Sequence, residues 1–469
     1  ISGVTVGTGA GALNVTAGSL TDSAANFAGA VTLAVTGNAT LDNNNDFGSV
    51  AGSAANLLLN DVDDLSLAGV NVGGGAGNLT VTAGSLTDAA GNSAGLFSLT
   101  VTGDVTLNDA NDFNSVVGTA ANLTLTDVDD LALAGVTVGG GLGTLSLTAG
   151  SLTDSAANFA GAVNVTSAGS VVLDAANDFN SLAGTAGTLT LNDVDGLDLA
   201  GVNVGGGAGA LTLTVGGALT DSGVNQAGLL TLNAVGQTVT LDAANDFNSV
   251  MGTAGTLTVT DTDDLMLAGV NIGAGTGAMN LTVAGGLTDS AANYAGAVTL
   301  TAGNNVTLDN LNDFNSVAGT AVNMTLNDID DLDLAGVNVG PGTLTLTAGS
   351  LTDSAANIAA SLNLTVTGDV TLNNANDFNT VIGTAANLTL TDVDDLALAG
   401  VNVGGGAGAL TVTAGSLTDT AANFAGALTL AVAGNATLND ANDFDSVAGT
   451  AGNLTLNDVD DLDLAGVTS

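Results

Sequence analysis

Aliphatic and small polar residues alternate along most of this chain. Leu79-Thr80-Val81-Thr82, Leu123-Thr124-Leu125-Thr126 and Leu65-Ser66-Leu67 are typical runs. A period of two puts Leu and Val on one face of an extended segment and Thr or Ser on the other, so these runs predict half-buried β-strands and argue against helix. Gly-rich stretches such as Gly73-Gly74-Gly75 separate them and predict turns.

The pattern repeats. The phrase Leu-Ala-Gly-Val, or a relative, opens a copy at Ile1, Leu67, Leu133, Leu199, Leu267, Leu334 and Leu398, and again at Leu464 shortly before the chain ends. The copies are 1–66, 67–132, 133–198, 199–266, 267–333, 334–397 and 398–463, with a partial copy at 464–469. Near-constant length is the mark of a stacked architecture that displays surface. Each copy contains three similar sub-units, in the first copy 13–29, 31–52 and 57–75. The expected fold is therefore all-β, a parallel β-helix or β-solenoid forming one array, with three rungs of about 22 residues per copy and about 21 rungs in total. At ~4.8 Å per rung that would be roughly 100 Å long. The 64-residue copy has Gly340-Pro341-Gly342 where others carry a longer Gly-rich loop, so length changes are expected to fall in turns. Phe47 recurs as Phe113, Phe179, Phe247, Phe314, Phe378 and Phe444, always after Asn-Asp, and is expected to form an internal aromatic position. Because the first and last residues share one phase of the repeat and no atypical capping copy is present, the chain is expected to be an excerpt of a longer array or a subunit that stacks on its neighbours.

Composition narrows the function. The 469 residues include no Lys, Arg, His or Cys, and the formal charge is −46, all of it from Asp. A phosphate backbone needs a basic footprint and an anionic membrane attracts basic segments, so neither nucleic acid nor an anionic membrane surface is expected as a partner. No apolar run reaches the ~18 residues of a membrane span, so no membrane insertion is expected. Without His, Cys, Lys, Glu or Arg the usual bases, nucleophiles and carboxylate clamps are missing, and no enzymatic activity is expected.

Three stretches are Val105-Thr106-Leu107-Asn108-Asp109-Ala110-Asn111-Asp112-Phe113, Asn122-Leu123-Thr124-Leu125-Thr126-Asp127 and Leu79-Thr80-Val81-Thr82-Ala83-Gly84-Ser85-Leu86-Thr87-Asp88. They resemble the repeats of large secreted bacterial adhesins of the filamentous haemagglutinin type and related β-strand-repeat proteins. The resemblance implies a right-handed parallel β-helix, export to the extracellular side or bacterial cell surface, and a role in adhesion or biofilm structure. Unlike members of that family, this chain has no basic residue at all.

Candidate chemistry lies in the aspartates. Each copy closes on an Asp-x-Asp-Asp corner: Asp61, Asp63 and Asp64; Asp127, Asp129 and Asp130; Asp193 and Asp195, with Gly196 in the last place; Asp261, Asp263 and Asp264; Asp328, Asp330 and Asp331; Asp392, Asp394 and Asp395; Asp458, Asp460 and Asp461. A further Asp precedes each recurring phenylalanine: Asp46, Asp112, Asp178, Asp246, Asp313, Asp377 and Asp443. Aligning rungs on Phe27, Phe47 and Leu65 places Asn26, Asp46 and Asp64 in one column and Asp22, Asp42 and Asn60 in another. Stacked carboxylates repel, and Ca²⁺, which takes six to eight oxygens, would relieve the repulsion. The alternative is a solvated acidic face that keeps the chain soluble.

Asn-x-Thr triplets such as Asn14-Val15-Thr16 and Thr-x-Thr pairs such as Thr80 with Thr82 follow from turn Asn and strand Thr, although glycosylation or ice binding would use the same residues. Three roles remain: a structural stalk segment of a secreted fibre or adhesin, a Ca²⁺-dependent filament, sheath or surface-layer subunit that self-associates end to end or side by side, and a solenoid that binds carbohydrate (of a host or a matrix) or ice.

Overall fold

The alternating runs form strands, and every strand pairs in parallel with a strand about one turn away. The computed structural model describes residues 1–468. It divides into two compact units, residues 1–237 and 238–469, each a parallel β-solenoid. The turns of the two units number about 24 in total. Among the described residues the only helical elements are single 3₁₀ turns such as Gly73–Gly75, and no helix is long and apolar enough to cross a membrane.

The register fixes the length of a turn. In the first unit a ladder climbs from Leu20 through Ala39, Leu57, Leu79, Phe97, Val116 and Leu133 to Asp154. That is seven turns in 134 residues, about 19 residues each. In the second unit Leu287, Val306, Met324, Leu344, Leu362, Val381, Leu398 and Asp419 make the same climb. The expected 22-residue rung is thus corrected to about 19, and three rungs per copy become three and a half. Two copies, not one, restore the starting face. Leu86, the counterpart of Leu20, is skipped by the Leu20 ladder and pairs with Val105 in the ladder half a turn away. The sub-units counted in sequence recur, but they number three in a copy that makes three and a half turns, so dividing the copy by three overstates the turn.

Inward positions are filled as the alternation predicts. Strand Val105–Ala120 buries Val105, Leu107, Phe113, Val116 and Ala120, and strand Leu123–Asp127 buries Leu123 and Leu125. The seven recurring phenylalanines are all buried. Phe97, the counterpart of aliphatic residues in the other copies, stacks on Phe113 with ring centroids 4.8 Å apart.

One glycine per copy is demanded by geometry. Strand Val105–Ala120 shifts register between Val116 and Gly118 against strand Asp130–Val138, and Gly118 adopts φ +130°. A Cβ there would lie 1.8 Å from the Leu99 carbonyl oxygen of the turn below, so no other residue fits this bulge. The length change in the sixth copy falls where expected: strand Asp331–Ala348 runs through Pro341, where other copies insert a 3₁₀ turn.

Candidate functional site

The recurring polar corner is a buried hydrogen-bonded ladder. In the second copy the Val70 N–H donates to Asn92 Oδ1 at 2.8 Å. The Asn92 N–H and Nδ2 both donate to Asn111 Oδ1, at 2.9 and 3.0 Å. On the next turn the Phe113 N–H donates to Asp127 Oδ2 at 2.8 Å, and the Asp129 N–H to Asp127 Oδ1 at 3.1 Å. The first copy repeats this with Asn26, Asn45 and Asp61. These side chains are buried, as are their counterparts in later copies such as Asn158, Asn177 and Asp193. They accept from backbone N–H groups that the bend withdraws from the strand ladder, which is why a polar residue is retained inside.

The first of the two columns expected from sequence is corrected by this, whereas in the second Asn60 Nδ2 donates to the Asp42 carbonyl oxygen at 3.1 Å. Asn26 lies below Asn45, and Asn45 pairs with Asp61; Asp46 and Asp64 are elsewhere. Alignment on phenylalanine was off by one residue, because Phe27 pairs with Asp46 and is 39% exposed whereas Phe47 is buried. In a strand, a slip of one reverses inside and outside. Asp22 and Asp42 do adjoin, but as acceptor and donor: Asp22 Oδ1 accepts the Asp42 N–H at 3.1 Å.

The aspartates therefore fall into distinct environments. Asp61, Asp127, Asp193, Asp261, Asp328 and Asp392 are buried, with both oxygens of each accepting backbone N–H groups; Asp458 occupies the same position and makes the equivalent bonds from Phe444 and Asp460. Burial pushes Asp61, Asp127, Asp261, Asp328 and Asp392 up to about 6 and Asp193 to about 7, against the opposing pull of the two N–H donors. Asp22 moves the other way. Burial raises it, but hydrogen bonds from Asn45, Asn43 and the Asp42 N–H together outweigh that, and its carboxyl is held below the usual range.

The third carboxylate of the corner reaches up one turn. Asp64, Asp130, Asp331 and Asp395 each accept a hydroxyl hydrogen bond, from Ser85, Ser151, Ser350 and Ser416. Asp264 takes the Gly286 N–H instead and lines an open cleft of about 750 Å³ with Thr288, Asn304 and Asn323. Asp63, Asp129, Asp195, Asp263, Asp330, Asp394, Asp460 and Asp461 are exposed, while Asp46, Asp112, Asp178, Asp246, Asp313, Asp377 and Asp443 are half-buried one turn below the corner. Among the described residues no three carboxylates converge as a group that could hold a metal ion. The corner's most buried carboxylate is already engaged by the backbone, leaving only outward oxygens to meet a cation.

Sequence reasoning did not single out the ladder asparagines. Asn45, Asn111, Asn177, Asn245, Asn312, Asn376 and Asn442 stand before Asp-Phe in every copy, an invariance that a merely soluble face would not require. The exposed ring at Phe27 was also missed. It returns as Phe159, Tyr294 and Phe424, in alternate copies only.

No curated protein and no solved structure matches the chain. A family model described as repeats of unknown function, DUF5649, matches residues 2–53, 54–120, 120–185, 186–254, 254–321, 321–385 and 385–451. Those seven segments equal the number of full copies read from the sequence, cut at a different phase. With nearly the whole length matched, the chain belongs to this family of DUF5649 repeats.

Proposed function

We propose that the chain is a structural segment of a secreted bacterial fibre or adhesin, a non-enzymatic stalk at the cell surface. The observation that carries this reading is the parallel pairing that runs from turn to turn within each unit, sealed at the bends by a buried Asn-Asn-Asp ladder. That arrangement devotes its polar interior to backbone satisfaction. The resemblance to adhesins of the filamentous haemagglutinin type points the same way. The absence of Lys and Arg removes every trypsin site, which suits exposure outside a cell. Electron microscopy of the purified chain tests the role: a stalk requires elongated particles, and compact isometric particles would contradict it.

A second reading has Ca²⁺ joining acidic corners of neighbouring chains in a filament, sheath or surface layer. Outward carboxylates such as Asp63, Asp129 and Asp330, on a chain with no basic side chain, favour it. Sedimentation with Ca²⁺ and then with chelator separates the two, because only this reading requires association that chelation reverses.

A further inference from the structure

The exposed aromatics stand on one edge because a copy makes three and a half turns. In the first unit the column from Phe27 passes Asp46, the Asp61 corner, Thr82, Thr100, Thr119 and Thr137 and arrives at Phe159 seven turns later. In the second unit the column from Tyr294 passes Asp313, the Asp328 corner, Thr347, Thr365, Thr384 and Asn402 and arrives at Phe424. Seven turns at ~4.8 Å separate the rings by roughly 34 Å in each unit. The intervening copies carry Ser93 and Ile358, half a turn away.

Each ring has the same setting. It is 36–41% exposed, and the turn above it carries an Asp: Asp46, Asp178, Asp313 or Asp443. None of those four carboxylates accepts a hydrogen bond from another described residue. Above the Asp comes an exposed aliphatic tip, Val62, Val194, Ile329 or Val459, from 49% to 58% exposed. Below Tyr294 and Phe424 lie Asn271 and Asn402, whose Oδ1 atoms are buried without a hydrogen-bond partner. Below Phe27 and Phe159 stand Thr5 and Thr137, so what all four columns share is a ring, an unbonded carboxylate and an apolar tip.

We infer that these edge columns, Asn271–Tyr294–Asp313–Ile329 and its three counterparts, are docking sites for arginine- or lysine-bearing segments of a basic protein partner. A guanidinium is flat, stacks on an aromatic face, and carries five donors and no acceptor. Laid on the ring, it meets the unbonded carboxylate of the turn above. A sugar hydroxyl both donates and accepts, so it matches a column of acceptors less well. A charge of −46 without any basic side chain supplies the complementary field and disfavours a second copy as the occupant. The sites use repetition for avidity, with spacing set by the seven-turn period. This holds whether or not the chain serves as a stalk.

The test uses the full chain in chelator-containing buffer and a short peptide alternating arginine and glycine. Tyr294 is the only tyrosine and there is no tryptophan, so its fluorescence reports one site directly. The peptide is expected to change that emission saturably. In calorimetry, the combined Phe27→Ser, Phe159→Ser, Tyr294→Ser and Phe424→Ser variant should bind about two- to five-fold more weakly per site. The chain already holds Ser93 in this position with the same pairing, so the variant keeps its backbone. A second variant, Asp313→Asn, should weaken binding at Tyr294 and reduce its salt dependence, whereas Val128→Ser, half a turn away, should change nothing. Equal peptide affinity for wild type and the four-serine variant would overturn the inference, leaving net charge alone. So would a neutral oligosaccharide that quenches Tyr294 while the peptide does not.

Discussion

Removing one amide from the corner ladder should destabilise the chain by several kcal/mol. Asn111 is buried, and its Oδ1 accepts both the N–H and the Nδ2 of Asn92. Its Nδ2 lies within donating reach of Asp88 Oδ2 at 2.9 Å, Asp109 O at 2.9 Å and Thr126 O at 3.2 Å. In Asn111→Ala the Asn92 N–H is left without an acceptor, which costs about 1–3 kcal/mol. Asp88 loses a donor to its charged oxygen, for about 1.5–3 kcal/mol more. Asp88 retains the N–H groups of Asn108 and Asp109, so the lower end of that range applies, and the total is about 2.5–4.5 kcal/mol. Asn111→Asp keeps the acceptor but sets a carboxylate oxygen against Asp88 Oδ2. Two charges ~3 Å apart repel by about 5 kcal/mol at an effective dielectric of 20. That variant should lose at least as much as Asn111→Ala at pH 7.5 and recover part of the loss at pH 5, where a retained proton can donate to Asp88. Urea unfolding by far-UV circular dichroism gives the totals, and hydrogen exchange at the Asn92 amide gives the local effect. A loss under 1 kcal/mol for Asn111→Ala, or a wild-type-like Asn111→Asp at pH 7.5, would refute the reasoning.

Other outcomes follow from the same geometry. Gly118→Ala forces a Cβ into the Leu99 carbonyl oxygen and should cost about 3 kcal/mol or more, read as a lower urea midpoint; an unchanged midpoint would mean the bulge is not needed. The six buried Asp carboxyls at about 6 to 7 lie above their ordinary 3.8, so the folded chain binds more protons than the unfolded one between those values. Their contribution is fully present below pH 3.8 and is lost as pH rises through 6 to 7. After discounting for solvent screening, each contributes about 0.5–1 kcal/mol between pH 7.5 and pH 5, or about 4 kcal/mol together. Tm should therefore rise on mild acidification, and a Tm that falls from pH 7.5 to pH 5 would contradict these environments. Chelator at constant ionic strength should leave Tm unchanged, because the corner's buried oxygens already accept backbone N–H groups; a large drop would show that the fold needs a metal.

Much of the fold was legible because period-two alternation and recurrence both leave marks in sequence. The strands, the parallel stacking, the buried Phe47 series and the place of the shortening at Pro341 all follow from them. The turn length did not, since register depends on where bulges such as Val116/Gly118 absorb residues, and similar sub-units can be aligned in more than one way. The acidic corner was located, but its roles were not. Asp61 and Asp63 differ by one alternation step, and only the bend decides that Asp61 turns inward to cap Phe47 while Asp63 faces out. The aromatic edge required knowledge of the half-turn offset before Phe27 and Phe159 could be seen as neighbours on one side.

The register itself is the central claim, and paired cysteines test it most directly in a chain that has none. Thr100 and Thr119 are exposed partners on adjacent turns, at a separation a disulfide spans. The Thr100→Cys, Thr119→Cys variant should cross-link readily under mild oxidation with its circular dichroism unchanged. Thr100→Cys with Asn122→Cys, the pairing that a 22-residue rung demands, should not. Efficient cross-linking of the second pair and none of the first would contradict a 19-residue turn.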